Sequence, residues 1–225
     1  MKNINELIDT NLNIEINNLS DNSKQIEQNG LFFAIKGIKS DGNNYVNDAI
    51  KNGAVAIVTE EDIETTVPVI KVKDAQYAYN NALNIFFDNP LDKLKVISVT
   101  GTDGKTTVAE IIYQLLNNYA HAGYIGTNGI KYKKFKMEND HTTPMPYELF
   151  KAFSEFRNLG CNYVAMESSS ERLYTRKLDC INFDVAIFTN LTRDHLDTHK
   201  TMENYALAKA ISFEQLKKEG LWWCL

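Results

Sequence analysis

The stretch Val96-Ile-Ser-Val-Thr-Gly-Thr-Asp-Gly-Lys-Thr-Thr107 limits the possible folds of this chain more than any other. The β-branched run Val96 to Thr100 predicts a strand that stops at Gly101, and the apolar run Val108 to Leu116 predicts a helix starting after Thr107. A glycine-rich loop between strand and helix lets backbone N–H groups close on phosphate oxygens, helped by the positive end of the helix. In that setting Gly101, Thr102, Asp103, Gly104 and Thr107 belong to the cradle, Lys105 reaches the β- and γ-phosphates, and the Thr106 hydroxyl faces Mg²⁺. The pattern G-x-x-x-x-G-K-[ST] is met except at its first glycine, where Val99 stands. Taken alone, Gly104 to Thr107 also reads as an ordinary turn into a helix, so the downstream residues decide.

With 225 residues the chain has room for one large or two small domains. A hydrophobic content of 44% and a charged content of 24% are those of a globular protein, and a net charge of -5 argues against a general nucleic-acid surface. Cys161, Cys180 and Cys224 are scattered without a C-x-x-C, which speaks against a thiolate metal site and for a reducing compartment. Met1 to Leu7 has no apolar core of a secretory signal, and no run approaches the roughly 18 apolar residues of a spanning helix. The expectation is a cytoplasmic protein that binds neither membrane nor nucleic acid.

Along the first ninety residues, strand and helix signals alternate. Leu12, Ile14 and Ile16 predict a half-exposed strand, followed by a polar loop over 17–29. Strands are expected at Leu31 to Ile35, Ala54 to Val58 and Val67 to Val72, with a helix from Tyr45 closed by Gly53. Asp74 is placed to cap a further helix with Ala75, Ala78, Ala82, Ile85 and Phe86 on one face, and Asn89-Pro90 stops it. The reading is a small α/β domain over 1–90 and a second domain over 91–225. Ser23, Lys24 and the loop Gly37 to Gly42 lie at strand ends, where α/β folds take ligands, but by spacing alone they read more readily as solvated loop residues.

In the second part, Gly123 to Gly126 predicts a short strand and turn, and the basic stretch Lys131 to Lys136 a solvated face or hairpin. His141 to Pro144 forms a loop before a helix over Tyr147 to Asn158. The strand Asn162 to Met166 delivers Glu167 at the sheet edge onto which the phosphate loop opens, where a carboxylate can hold Mg²⁺. The strand Phe183 to Thr189 ends in Asn190-Leu-Thr-Arg-Asp-His195. A helix from about Thr201 then sets Tyr205 and Lys209 four residues apart on one face. The chain ends at Gly220-Leu-Trp-Trp-Cys-Leu225, one or two residues into an expected strand.

TGTDGKTT, MESSS, FDVAIFTNLTRDHLDTH and TMENYALAK together resemble the central ATPase domain of the Mur ligases. DNSK…GLFFAIKG…DGNNYVNDAIKNGAVAIV resembles the UDP-binding domain of the branch that adds the third amino acid of the peptidoglycan stem. The resemblance runs from about residue 12 to about 218. It implies a small N-terminal α/β UDP-MurNAc-binding domain followed by an incomplete P-loop, Rossmann-like ATPase domain with a mainly parallel sheet. It implies ATP and Mg²⁺ as cofactors, with UDP-MurNAc-L-Ala-D-Glu and an amino acid, lysine or diaminopimelate, as substrates.

On the matching positions, the resemblance implies that Ser23 and Ile38, Lys39 and Ser40 lie near uridine, although Asn22 and Lys24 depart from the family's D-S-R. Thr142 and Thr143 match the pair that holds the UDP-sugar, and Ser169 the serine that contacts substrate. Thr175 and Lys177 stand where the family carries glutamine and arginine, and Glu171 replaces a common histidine. Lys105, Glu167, His195 and Lys209 are implied as catalytic, and Asn190 as a nucleotide contact. Thr106, Glu167, His195 and Lys209, the last as a carbamate, are implied as metal ligands. A carbamate would turn a cation into an oxygen ligand.

The family's amino-acid-binding third domain has no counterpart in these residues. The expectations are therefore a truncated chain inactive by itself, or half of a split protein completed by a separate chain. Two other readings compete. One is a ligase of the same superfamily, such as a folylpolyglutamate synthetase, which lacks the UDP-type domain. The other is a non-catalytic ATP- or UDP-sugar-binding fragment.

Overall fold

The computed structural model describes residues 1–38 and 40–224. The chain separates into two compact units, Met1–Asn89 and Pro90–Leu225.

In the first unit, β1 (Lys2–Asn3), helix α1 (Ile4–Leu7) and β2 (Glu15–Ile16) form a short antiparallel ribbon with one helical turn between its strands. Asn3 caps that turn, and Glu6 reaches back to the Asn3 N–H at 2.8 Å. The strand expected from Leu12 to Ile16 is cut to β2: its ladder with β1 ends at the bond from the Ile4 N–H to the Ile14 carbonyl, where the partner strand turns into α1. Then come β3 (Asn18–Ser20), β4 (Gly30–Phe33), α2 (Val46–Lys51), β5 (Ala54–Thr59), β6 (Val69–Lys71) and α3 (Ala75–Phe86). Among the described residues β3, β4, β5 and β6 form a parallel sheet in that order.

Strand β3 lies inside the expected polar loop. Its polar side chains are buried because they are satisfied locally: Asn18 Oδ1 accepts from the Glu27 N–H at 3.4 Å, and Ser20 Oγ accepts from the Asn22 N–H at 3.0 Å. Asp74 caps α3 by accepting from the Tyr77 N–H at 2.9 Å. The buried face of α3 is Ala75, Tyr79, Ala82 and Leu83, while Ala78, Ile85 and Phe86 are only partly covered. The stripe is rotated from the expected one because Gln76 and Asn80 bury their amides against each other at 3.0 Å.

The second unit runs β7 (Lys95–Thr100), α4 (Lys105–Asn117), β8 (Ala122–Gly126), β9 (Gly129–Tyr132), β10 (Phe135–Met137), α5 (Pro146–Asn158), β11 (Tyr163–Glu167), α6 (Ser170–Tyr174), β12 (Phe183–Phe188), α7 (Leu196–His199), α8 (Met202–Glu214) and β13 (Leu216–Cys224). Among the described residues the sheet order is β10-β9-β8-β11-β7-β12-β13. Strands β8, β11, β7, β12 and β13 are parallel, and β9 and β10 add an antiparallel hairpin that takes up the basic stretch. From Val96 to Thr100, β7 is buried on both faces, as a strand between two layers of helices must be.

The order puts the C-terminal ends of β11, β7 and β12 side by side, and the chain reverses its direction of sheet growth there. That is where open α/β sheets form their ligand crevice. Helix α4 starts at Lys105, earlier than the apolar run suggested, so Lys105, Thr106 and Thr107 form its first turn.

Strand β13 runs from Leu216 to Cys224, so it begins well before the last one or two residues, where a strand was expected to start. Lys217, Lys218 and Glu219 hid it, and charged residues suit an edge strand. A bulge lets Leu216 pair with Phe183 and Leu221 with Val185, while Lys217 pairs with Asp184 at 2.8 Å. The core under the hairpin holds Phe150, Phe153 and Phe156 of α5 with Tyr132, while Tyr124 packs on the other face of the sheet with Val99 and Ala109, all fully buried. Each such ring contributes about 1.5–3 kcal/mol through removal from water. No helix among the described residues is long and apolar enough to cross a membrane.

Candidate active site

The phosphate loop is held from both sides. Gly101 adopts φ +150, and a Cβ there would meet Thr189 Oγ1 at 1.9 Å, so the end of β12 packs directly on the loop backbone. Asn190 grips Asp103 twice: its Oδ1 accepts from the Asp103 N–H at 3.0 Å and its Nδ2 donates to the Asp103 carbonyl at 3.2 Å. Thr102 donates its N–H to the Asn190 carbonyl at 3.0 Å. Asn190 therefore braces the loop. Gly104 is the N-cap of α4, at φ 80.

Lys105 Nζ folds back on the loop, donating to the carbonyls of Gly101 at 2.9 Å and Thr102 at 2.7 Å. Burial lowers its pKa, opposed by the charges of Glu167, Asp103 and Asp194. Lys209 is 2% exposed and sends Nζ to the same Gly101 carbonyl at 2.7 Å, 4.2 Å from the centre of the Tyr205 ring. Burial, with the Lys105 charge second, pulls its pKa down to about 7.

On the neighbouring strand Glu167 is fully buried, and both of its oxygens are engaged. Oε2 accepts from Thr106 Oγ1 at 2.8 Å and Thr127 Oγ1 at 3.2 Å. Oε1 accepts from Tyr124 Oη at 2.6 Å and the Thr127 N–H at 2.9 Å. A carboxylate beside a hydroxyl at a phosphate loop is the oxygen-donor set that suits Mg²⁺, which takes its other ligands from water and phosphates. Among the described residues no three His, Cys, Asp or Glu side chains gather into a group that could hold a metal ion by themselves.

Lys105 and Lys209 also line a cleft of about 280 Å³, with Thr142, Thr143, Ser169, Arg172, His195 and His199 among the other lining residues. His195 stands 3.4 Å from Asp194 through Nε2 and begins α7. The hydroxyl of Thr143 is used internally, donating to the Glu167 carbonyl at 2.8 Å and accepting from the Ser169 N–H at 2.9 Å. Thr142 Oγ1 accepts from Thr127 Oγ1 at 3.3 Å. Ser169 caps α6. Thr175 and Lys177 follow α6 and do not line the cleft, and Thr175 donates to the Glu171 carbonyl at 2.7 Å.

In the first unit Ser23 is buried behind β3. Ile38 and Ser40 lie beyond β4, where Ser40 Oγ donates to Tyr45 Oη at 3.4 Å, and Lys39 falls outside the described residues.

The sequence reading missed Tyr124, Thr127, Arg172 and His199. Buried His199 bonds Ser170 Oγ through Nε2 at 3.0 Å, while its Nδ1 is buried without a partner among the described residues. Burial, then the His195 and Lys209 charges, lowers its pKa. Thr127 was open to the argument that singled out Glu167, since it directly follows a strand ending at the same sheet edge.

A loop so braced, on a sheet with this strand order, defines the class: an α/β domain with a P-loop between β7 and α4. The family model for the Mur ligase middle domain matches residues 99–224, and the model described as Mur ligase family, catalytic domain, matches residues 15–99. The chain belongs to the Mur ligase family.

It is 41% identical over 180 residues to the UDP-N-acetylmuramoyl-L-alanyl-D-glutamate–2,6-diaminopimelate ligase of Caldanaerobacter subterraneus subsp. tengcongensis, covering 79% of this chain and 37% of that one. It is 42% identical over 176 residues to the ligase of the same name from Clostridium perfringens, covering 77% and 36%. A solved structure of a ligase of that name superposes with a TM-score of 0.77 at 25% identity, covering 96% of this chain and 46% of the other. The chain thus spans a little over a third of the length of the curated relatives it matches.

Proposed function

We propose that this chain supplies the nucleotide- and sugar-nucleotide-binding parts of an ATP-dependent ligase of peptidoglycan precursor synthesis. The ligase joins UDP-MurNAc-L-Ala-D-Glu to an amino acid in the cytoplasm. The observation that carries this reading is the cleft that Lys105 and Lys209 share with Thr142, Ser169 and His195. Activating a carboxylate with ATP requires the γ-phosphate and the carboxylate to meet in one water-poor place, and this cleft opens beside the phosphate loop.

A substrate carboxylate oxygen attacks the γ-phosphorus and ADP leaves, giving an acyl phosphate. The amine nitrogen then attacks the acyl carbon, phosphate leaves, and the amine gives up a proton. Lys105 turns from the loop carbonyls to the β- and γ-phosphates, and the amides of Gly101 to Thr107 face the same oxygens. Thr106 and Glu167 would hold Mg²⁺, and His195 and a carbamylated Lys209 would be further ligands. When bound, Mg²⁺ neutralises charge on the phosphate oxygens. Thr142, Thr143, Ser169, Thr175 and Lys177 are assigned to the sugar and peptide, and Ser23, Ile38, Lys39 and Ser40 to the uridine. The names of the relatives favour diaminopimelate over lysine as the amine.

Acyl-phosphate formation is testable without the amine. With ATP labelled by ¹⁸O in the β–γ bridge, reversible transfer moves label into non-bridging positions. Scrambling that depends on UDP-MurNAc-L-Ala-D-Glu is the expected result. Tight binding of both ligands with no scrambling would favour the non-catalytic binding fragment.

A further inference from the structure

The grip on Glu167 is asymmetric. Oε1 has two lone-pair directions, and both are filled by donors that cannot turn away easily. One is the Thr127 backbone N–H at 2.9 Å; the other is the phenol of Tyr124, a fully buried residue of β8, at 2.6 Å. Oε2 instead meets two hydroxyl rotors, on Thr106 at 2.8 Å and Thr127 at 3.2 Å. A hydroxyl rotor can swing its hydrogen away and offer a lone pair to a cation.

The space around Oε1 is closed as well. A Cβ on Gly126 would come within 2.1 Å of Oε1 and 2.4 Å of Tyr124 Oη, so only glycine leaves room for this contact. The phenol is itself held, accepting from the Asn128 N–H at 3.4 Å, with Lys131 Nζ 4.7 Å from its ring centre.

We propose that Tyr124 is a positioning residue that pins Oε1 of Glu167 and leaves Oε2 as the one oxygen presented to a divalent cation at the Thr106 hydroxyl. A neutral donor fits that task. It orients the carboxylate without cancelling the negative charge that the cation needs, which a lysine or arginine in its place would do. The inference rests on the nucleotide–Mg²⁺ reading above.

The test separates the metal from the nucleotide. Affinity for a fluorescent ADP analogue is measured with EDTA and with Mg²⁺, in the native chain and in Tyr124→Phe. Binding in EDTA is expected to stay within about twofold, while the enhancement by Mg²⁺ falls by about tenfold, the scale of one charge-assisted hydrogen bond. In a Glu167→Gln background Tyr124→Phe is expected to add no further loss.

A full Mg²⁺ enhancement in Tyr124→Phe would overturn the inference and leave the nucleotide site standing. So would an equal loss with and without metal. Absence of nucleotide binding by the native chain would overturn the underlying reading too. Should Tyr124→Phe unfold, 3-fluorotyrosine at position 124 keeps the shape and the hydroxyl. Its ¹⁹F resonance is expected to move when Mg²⁺ is added to the nucleotide-saturated protein, and an unmoved resonance overturns the proposal.

Discussion

Lys105 and Lys209 donate to the same acceptor, the carbonyl oxygen of Gly101, at 2.9 and 2.7 Å. Two ammonium groups so close repel, and the more buried one yields. Lys209 has its pKa drawn down to about 7, first by burial and then by Lys105. Between about pH 7 and the ordinary lysine value the unfolded chain binds a proton that the folded chain does not, so this group's contribution to stability rises with pH across that window. Its destabilising effect is greatest below pH 7. Lys209→Met is therefore expected to stabilise the protein by a few kcal/mol at pH 6 and by less at pH 9. Urea unfolding at both values checks this, and an equal change at both pH values counts against a neutral Lys209.

The same neutral amine is what carbon dioxide adds to. With ¹³C-bicarbonate, a carbamate resonance is expected to grow as pH rises through about 7 and to be lost in Lys209→Met. A folded sample without that resonance at pH 8 contradicts the carbamate assignment.

Gly101→Ala sets a Cβ against Thr189 Oγ1 and keeps φ at +150. The expected cost is about 1–3 kcal/mol from strain and overlap. Thr189→Ala in the same chain is expected to return part of it, because the overlapping atom is gone. Thermal unfolding of the two single variants and the double variant measures the coupling, and strict additivity would show that the packing of β12 on the loop is not what Gly101 serves.

The phosphate-loop region was legible because each local signal is strong: a β-branched strand, glycines at the bends, and a periodic helix. Tyr205 and Lys209 were legible as one face of α8 through their spacing alone, and both are buried. Among the strand residues that were not legible are those of β3 and of the first part of β13. β3 hides behind Asn18 and Ser20, whose burial depends on bonds to Glu27 and Asn22 that no periodicity reveals. β13 hides behind Lys217 to Glu219, where an edge tolerates charge. The donors to Glu167 were missed because Tyr124 reads as one more apolar strand residue. Only the β8–β11 pairing brings its hydroxyl to the carboxylate.

Both tryptophans of the chain, Trp222 and Trp223, lie on β13, the outer strand of the sheet among the described residues. With Leu221 they are 69%, 65% and 64% exposed for Leu221, Trp222 and Trp223 respectively. An apolar strand edge invites pairing with another chain. The emission is expected to be red-shifted and readily quenched by acrylamide at low protein concentration, and to shift to the blue as the chain self-associates. Trp222→Lys is expected to suppress the association. Buried, quencher-resistant tryptophans in a monomer would contradict the exposed edge.

The measurement that bears most directly on the account is calorimetric titration of the chain with ATP and Mg²⁺, beside Lys105→Ala. The account predicts one nucleotide site per chain and a loss of about 1–3 kcal/mol in the variant, the scale of a lost charged hydrogen bond. Equal affinity in the two proteins, or no binding by either folded protein, would contradict the assignment of the Gly101–Thr107 loop as a nucleotide-phosphate site.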